Sequence, residues 1–418
     1  MNKHLAMVSG LLVGSFVIAG WGATAHLSSA PHSSWTLNPS ASISATPKAS
    51  DPPQTTASSI ALPATMISLD MLSVRQGWAM NATGQVLQTT DGGRQWHNVA
   101  SRSLERALAP MARFGPVTGG YLVGSNATAA FPNAWTAWLT VGRGNNAIQV
   151  WHTVDGGHHW TETMIHPAVP AGLGLTQVAA VGNRDAWIVA ASQGLAGHVN
   201  IRVWRTSVQR PGWHPVYNGA MSATAGLAFA TGSVGVLAGG TSIAYGSHSA
   251  SLIVTANGGD TWSPPRSPLP LLPGDWATTV QNPAIVPHTR EIVVPVVLQR
   301  AFPSTTAPTK AWWRLEQSTN GGQTWHMLPT TPDAILPQQP GIIFQAWITP
   351  QNGWVVLGTH LYRTADGGHA WAASTLPGGT VVNLDRVSAT VGFALMQQQG
   401  HTTIYRTEDG GLRWTRVW

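Results

Sequence analysis

TTDGGRQW (residues 89–96), TVDGGHHW (153–160), TANGGDTW (255–262), STNGGQTW (318–325), TADGGHAW (364–371) and TEDGGLRW (407–414) are six copies of one phrase. Each reads Ser/Thr-x-Asp/Asn-Gly-Gly-x-x-Trp, with no slip in its internal spacing. A phrase that returns every ~40 to 60 residues marks an array of equal structural units. The steps between successive Asp/Asn positions are 64, 102, 63, 46 and 43 residues. The long step holds a decayed copy, in which Thr206 and Trp213 keep the Thr-to-Trp distance while Val208 and Arg210 replace an Asp and a Gly. The chain therefore carries seven units.

Each unit has the same anatomy. The first reads MISLDMLSV, GWAMNA and QVLQTT, then the Asp-Gly-Gly turn, then QWHNVA; the last reads VVNLDRVSA, VGFALMQ, TIYRT, the turn and RWTRVW. Short runs rich in β-branched and aromatic residues, bounded by Gly, Asn and Asp, predict strands joined by hairpins. Four strands per unit and seven units predict an all-β chain, a seven-bladed β-propeller with small sheets packed around a central channel. The chain would enter on the innermost strand of blade one and leave on the outermost strand of blade seven. No segment beyond residue 25 reads as a helix.

The phrase resembles the Asp box, or bacterial neuraminidase repeat, of sialidases, sortilin-type receptors and some endoglucanases. The longer pattern GWAM…GQVLQTTDGGRQW (77–96) is most similar to the photosystem II assembly and stability factor family. It returns at Gly353-Trp354-Val355 with 362–371, and at Gly392-Phe393-Ala394 with 405–414. The resemblance covers roughly residues 64–418. It implies the architecture and an assembly or scaffold role for that family, but it marks no functional arginine of the family on this chain, and this fold hosts many unrelated activities.

The phrase has a physical reading of its own. A short polar side chain at Asp91, Asp155, Asn257, Asn320, Asp366 and Asp409 can bond back to nearby backbone N–H groups and fix a turn. The glycines can take positive φ. The aromatic ring at Trp96, Trp160, Trp262, Trp325, Trp371 and Trp414 can fold under the turn and fill a seam between blades. Two copies carry Asn, which neither ionises nor donates a proton as an acid would. The phrase is thus read as structural rather than as a catalytic or metal-binding device.

Charged residues make up 9% of the chain, against about 25% in an ordinary domain. Sixteen carboxylates occur in 418 residues, four of them at the Asp/Asn position of the repeated phrase, and the net charge is +6. One physical reason for so few carboxylates is life in acid, where a group that stabilises only when ionised stops contributing. Lys3 and His4 precede an uncharged stretch from residue 5 to about residue 25, with Ala23-Thr24-Ala25 as a small-x-small site. Residues 1–25 thus read as a cleaved secretory signal or, uncut, as a membrane anchor, with the propeller outside the membrane in either case. Residues 26–63, dominated by Ser, Thr, Ala and Pro, read as a disordered tether, and residues 64–418 as the propeller. The chain has no Cys, which excludes a disulfide and a lipidated N-terminal cysteine.

Binding in a propeller falls to loops on a rigid scaffold. The long irregular segments 101–116, 263–275, 301–310 and 328–340 map to the rim opposite the repeated turns. Arg102, Arg106, Arg113, Arg266, Arg300 and Lys310 are the candidate contacts there. Among acids outside the phrase, Asp70 and Asp385 fall on innermost strands, nearest the channel, and are the weak candidates for catalysis. Carboxylates facing each other across the channel would favour a sialidase-like or other secreted glycoside hydrolase, or a carbohydrate-binding lectin if the acids are lost. The Arg-Ile-Pro signature that opens sialidase domains is absent. No His falls in a metal-ligand spacing, no cofactor is called for, and Lys/Arg runs for nucleic acid are missing. The expectation is an exported, monomeric, non-enzymatic scaffold that binds a protein or an envelope polymer.

Overall fold

The computed structural model describes residues 48–49, 65–109, 127–143, 147–166, 175–193, 199–221, 223–240, 252–266, 269, 275–300, 311–331 and 343–418. Residues 1–25, and the tether apart from Lys48–Ala49, lie outside them.

The molecule is a seven-bladed β-propeller. Blade one is the meander Met66–Met71, Gly77–Asn81, Val86–Thr89 and His97–Asn98; blade seven is Thr380–Arg386, Gly392–Gln398, His401–Thr407 and Thr415–Arg416. The innermost strands of blades two to six are Ala127–Ala130, Leu175–Val181, Ala223–Phe229, Asp275–Val280 and Phe344–Trp347. Blades four and five are joined into one sheet by a single pair, Gly240 with Thr279. Blade four is the weakest copy: its fourth strand is reduced to one bridge, Val254 with Ser263.

Radial packing explains the composition of the second strands. A blade is covered on both faces by its neighbours, so Gly77–Asn81 and Gly353–Leu357 are buried at every position, and alternation gives way to continuous apolar runs. Seven hydrophobic clusters of described residues fill the seven seams. One of them joins Met66, Leu69 and Met71 of blade one to Val382, Phe393 and Leu395 of blade seven. First blade therefore packs on last, and the ring closes without a blade shared between the chain ends.

Each repeated Trp lies in the seam with the preceding blade. Trp160 of blade two packs with Trp78 and Leu104 of the blade-one side, and Trp325 of blade five with Val236 and Val254 of blade four. Trp213 of the decayed copy does the same beside Trp138 of blade two.

The turn itself is a small network. In blade one the Thr89 hydroxyl donates to Asp91 Oδ1 at 2.9 Å and accepts the Gly93 N–H at 3.0 Å. The N–H groups of Arg94 and Gln95 donate to the same Oδ1, each at 3.0 Å. Both glycines have positive φ, 79° and 87°, which a Cβ would strain. The Gly92 N–H donates to the Arg75 carbonyl at 2.9 Å, tying this turn to the one between the first two strands. The corresponding bond recurs from Gly156, Gly258, Gly321, Gly367 and Gly410. Both sets of turns therefore share one face.

Two features depart from the sequence reading. Arg102–Leu108 is an α-helix, where an irregular link was expected. Ser101 caps it by accepting the Leu104 N–H, and Leu104, Ala107 and Leu108 are buried in the seam of blades one and two. Within the segment expected to be disordered, Lys48–Ala49 pairs antiparallel with Thr161 and Glu162, adding a fifth strand to the outer edge of blade two.

Candidate functional site

Strand register makes one position comparable in all seven blades: the residue on the inner side opposite the second-strand residue that follows the partner of the turn's Ser/Thr, which in blade five lies on the short strand Ala284–Ile285. That position is Asp70 (opposite Trp78), Ala130 (Trp138), Ala179 (Trp187), Ala228 (Val236), Ala284 (Val293), Ala346 (Trp354) and Asp385 (Phe393). Five blades carry Ala. The two aspartates sit in blades one and seven, which ring closure makes neighbours.

The pair lies at the seam between chain beginning and chain end. Asp385 Oδ2 accepts the Met71 N–H at 2.9 Å. One turn of the strand away, the Asn383 side-chain amide donates to the Leu69 carbonyl. Both carboxyls are only half-buried by surface area, yet protein packs closely round each. Burial pushes Asp70 up from the ordinary 3.8 to about 7. Burial first, and then the charge of Asp70, push Asp385 well above the same value, against the Met71 N–H that favours its ionised form. Two carboxylates side by side cannot both ionise cheaply, so the protonated form of each is favoured. The neighbouring Arg386 does not neutralise them: its guanidinium lies 4.8 Å over the Trp354 ring and donates to the Ser388 and Ala389 carbonyls.

The aspartates therefore meet between adjacent blades, side by side rather than facing each other over the width of the channel. They stand at the end of their strands that leads into the turns 72–76 and 387–391, on the repeated-turn face. Sequence reasoning singled out both residues. It did not bring them together, though the signal was present: Leu69-Asp70-Met71-Leu72-Ser73 and Leu384-Asp385-Arg386-Val387-Ser388 share Leu-Asp-x-x-Ser.

The turn carboxylates are held the opposite way. Partial burial raises Asp91 and Asp155, but it is outweighed by the N–H groups of Gln95 and Arg94 on Asp91, and by the N–H and ring of His159 on Asp155. The backbone N–H of Ala370 lowers Asp366, and that of Arg413 lowers Asp409. Asn257 and Asn320 make the same turn with an amide, which also donates to Thr261 and Thr324 respectively.

One further acid was missed as a special residue. Glu316 is buried on the third strand of blade five, with its Oε1 2.6 Å from Arg314 Nε. Burial pushes it to about 7, offset only in part by Arg314. It occupies the register of Leu87 and Trp151, where other blades place apolar side chains, and no motif marks it.

Of the rim candidates, Arg102 and Arg106 stand exposed on the helix Arg102–Leu108, which packs against the blade-one turn at Gly84, opposite the repeated turns. Arg106 Nε donates to the Arg102 carbonyl at 3.2 Å, and Arg266 is exposed. Arg113 and Lys310 lie outside the described residues. Arg300 ends the strand Ile292–Arg300, its backbone paired with Asp275. Among the described residues no three His, Asp or Glu side chains gather into a metal-holding cluster.

No family model and no curated protein matches the chain. Among solved structures, YCF48 from Cyanidioschyzon merolae is similar with a TM-score of 0.50 at 16% identity, covering 84% of this chain and 96% of that one. A structure of YCF48 bound to D1 peptide gives 0.47 at 17% identity, covering 87% and 99%. A fucose-specific lectin from Aleuria aurantia gives 0.42 at 10%, covering 85% and 96%. At such identities the likeness to the first of these is one of fold: a YCF48-like propeller.

Proposed function

We propose that the chain is an exported, non-enzymatic Asp-box propeller that serves as a protein-binding or assembly scaffold at the cell envelope, working as a monomer. The observation that carries this reading is the use made of Asp70 and Asp385. A glycosidase needs one carboxyl kept as acid and a second kept ionised, set apart on either side of a sugar. Here the two share one environment, both are raised, and one is bonded to the backbone of the neighbouring blade. Such a pair fastens a ring. The YCF48-like fold agrees with the scaffold role without specifying a partner.

Partner contacts fall to the rim opposite the repeated turns, where the helix Arg102–Leu108 holds Arg102 and Arg106 on a buried base, with Arg266 on the same rim. Residues 5–25 would export the chain or anchor it, and residues 26–63 would tether the propeller to that segment. The test is affinity capture by the full chain from a detergent extract of its own cell envelope, beside the R102S/R106S/R266S variant. A protein retained by the first and lost by the second is the expected result. Glycoside hydrolysis by the purified chain, abolished in D70N or D385N, would overturn the reading in favour of an enzyme.

A further inference from the structure

All fourteen turns on the repeated-turn face are described, and they are not alike. Six large hydrophobic side chains stand exposed among the described residues, and five of them are on this face. Val74 tips the first turn of blade one; Trp135 (61% exposed) and Val154 tip the two turns of blade two. Val208 tips the decayed turn of blade three, and Leu412 (57% exposed) the last turn of blade seven. Blades seven, one, two and three are consecutive round the closed ring. The same turns of blades four, five and six carry none. Single exposed hydrophobics are ordinary; five on one sector of one face are not.

Exposed arginines stand beside these tips, although Arg290 is also exposed on the blade-five turn. Arg75 adjoins Val74, Arg413 adjoins Leu412, and Arg210 lies two residues from Val208, all exposed. Arg94 is exposed on the blade-one turn, its guanidinium donating to the Asp91 carbonyl. The acids of these turns are occupied: Asp91, Asp155 and Asp409 accept backbone N–H groups, and Glu408 is 2.8 Å from Arg406.

We propose that this sector is a docking surface for an anionic lipid bilayer. The apolar side chains stand at the tips of separate turns on four blades of one face, a spacing suited to a broad surface, whereas a peptide needs a continuous groove. Aliphatic and Trp side chains entering the headgroup region, with arginines beside them at the phosphates, are the chemistry of interfacial attachment. The inference deepens the envelope reading and rests on its export clause. It seats the propeller with the turn face on the membrane and turns the Arg102–Leu108 rim outward, toward a protein partner.

The absence of cysteine permits a clean test on the full chain. L412C and, as the control on blade six, A365C each receive one environment-sensitive fluorophore, with unaltered thermal unfolding as the check on folding. Vesicles of phosphatidylcholine and phosphatidylglycerol in equal parts are added. A blue shift at position 412 and none at 365 is expected, because tethering through residues 5–25 alone would not tell the two positions apart. The shift should vanish at about 1 M salt, where the screening length falls to about 3 Å. R75S/R94S/R413S should bind about a hundredfold more weakly, at about fivefold per arginine. Equal responses at 412 and 365, a response to phosphatidylcholine alone, or a response only to added envelope protein each overturn the proposal. None of these outcomes bears on capture at the opposite rim, so the two readings fail separately.

Discussion

Asp91 and Asp385 are both partly exposed carboxyls that accept backbone N–H bonds, and the structure drives them in opposite directions. At the turns, one oxygen collects the N–H groups of Arg94 and Gln95 and a hydroxyl, and hydrogen bonding to the charged form wins over partial burial. At the ring seam, Asp385 has one N–H donor against close packing and a second carboxyl, and burial wins. The number of donors, set against the company of a like charge, decides which form of the acid holds the molecule together. The turns are built for ionised aspartate and the seam for the protonated acid.

The sharpest test of that contrast is pH. Asp70 is raised from 3.8 to about 7, so the folded state binds more protons than the unfolded chain between those values. The seam's contribution is fully present below about pH 4 and is lost as pH rises toward 7. Glu316, also raised to about 7, acts in the same sense, whereas His152, lowered to about 4 chiefly by burial, acts against it. The measurement is therefore a difference. Unfolding free energies of the wild type and of D70N/D385N, taken from pH 4 to pH 8, should diverge by a few kcal/mol, with the wild type losing stability relative to the double variant as pH rises. Parallel curves would show that folding does not raise the two carboxyls.

Removal of the turn carboxylate comes second in size. D91A leaves the Arg94 and Gln95 N–H groups without their acceptor and should cost about 1 to 2 kcal/mol near neutral pH, as loss of a helix N-cap does. D91N keeps the acceptor and should cost much less, by the precedent of Asn257 and Asn320 within the same chain. Because the turn aspartates are lowered, their contribution is present above the ordinary carboxyl value and lost as pH falls through the depressed one. The cost of D91A should therefore shrink on acidification, the reverse of the seam. A D91A effect that does not change with pH would remove the distinction between the two regions.

The repeated phrase makes the blade number and the ring legible in the sequence, because Gly-Gly and Trp are demanded by local geometry that every blade repeats. Other features depend on what lies beside a residue in space. Asp70 and Asp385 are 315 residues apart, and only closure of first blade on last makes them partners. The helix Arg102–Leu108 escaped because seven residues are too few for a helical period to declare itself. Its cap did leave a trace, Ser101 followed by Arg-Ser-Leu-Glu-Arg-Ala-Leu, a capping residue before good helix formers. The exposed apolar sector has no sequence signal, since a Val or Leu in a turn reads the same whether its tip is covered or bare.

The smallest expected effect is in some ways the most discriminating. In the two Asn copies the fourth residue on is Thr, and the amide donates to its hydroxyl: Asn257 to Thr261 at 2.9 Å and Asn320 to Thr324 at 2.8 Å. The four Asp copies place Gln95, His159, Ala370 and Arg413 there. A hydroxyl can reverse its role by rotating, so in N257D the Thr261 hydroxyl would donate to the new carboxylate while the Thr261 N–H, now 2.9 Å from Asn257 Oδ1, keeps its acceptor. Stability near neutral pH should change by less than about 0.5 kcal/mol. What should change is the acid limb: N257D gives blade four an ionisable turn, so its stability relative to the wild type should fall with acidification as the other turn aspartates' does. If instead N257D is costly at neutral pH, the Asn–Thr pairing is a requirement of blade four, the copy with the reduced fourth strand, and the turns are not interchangeable.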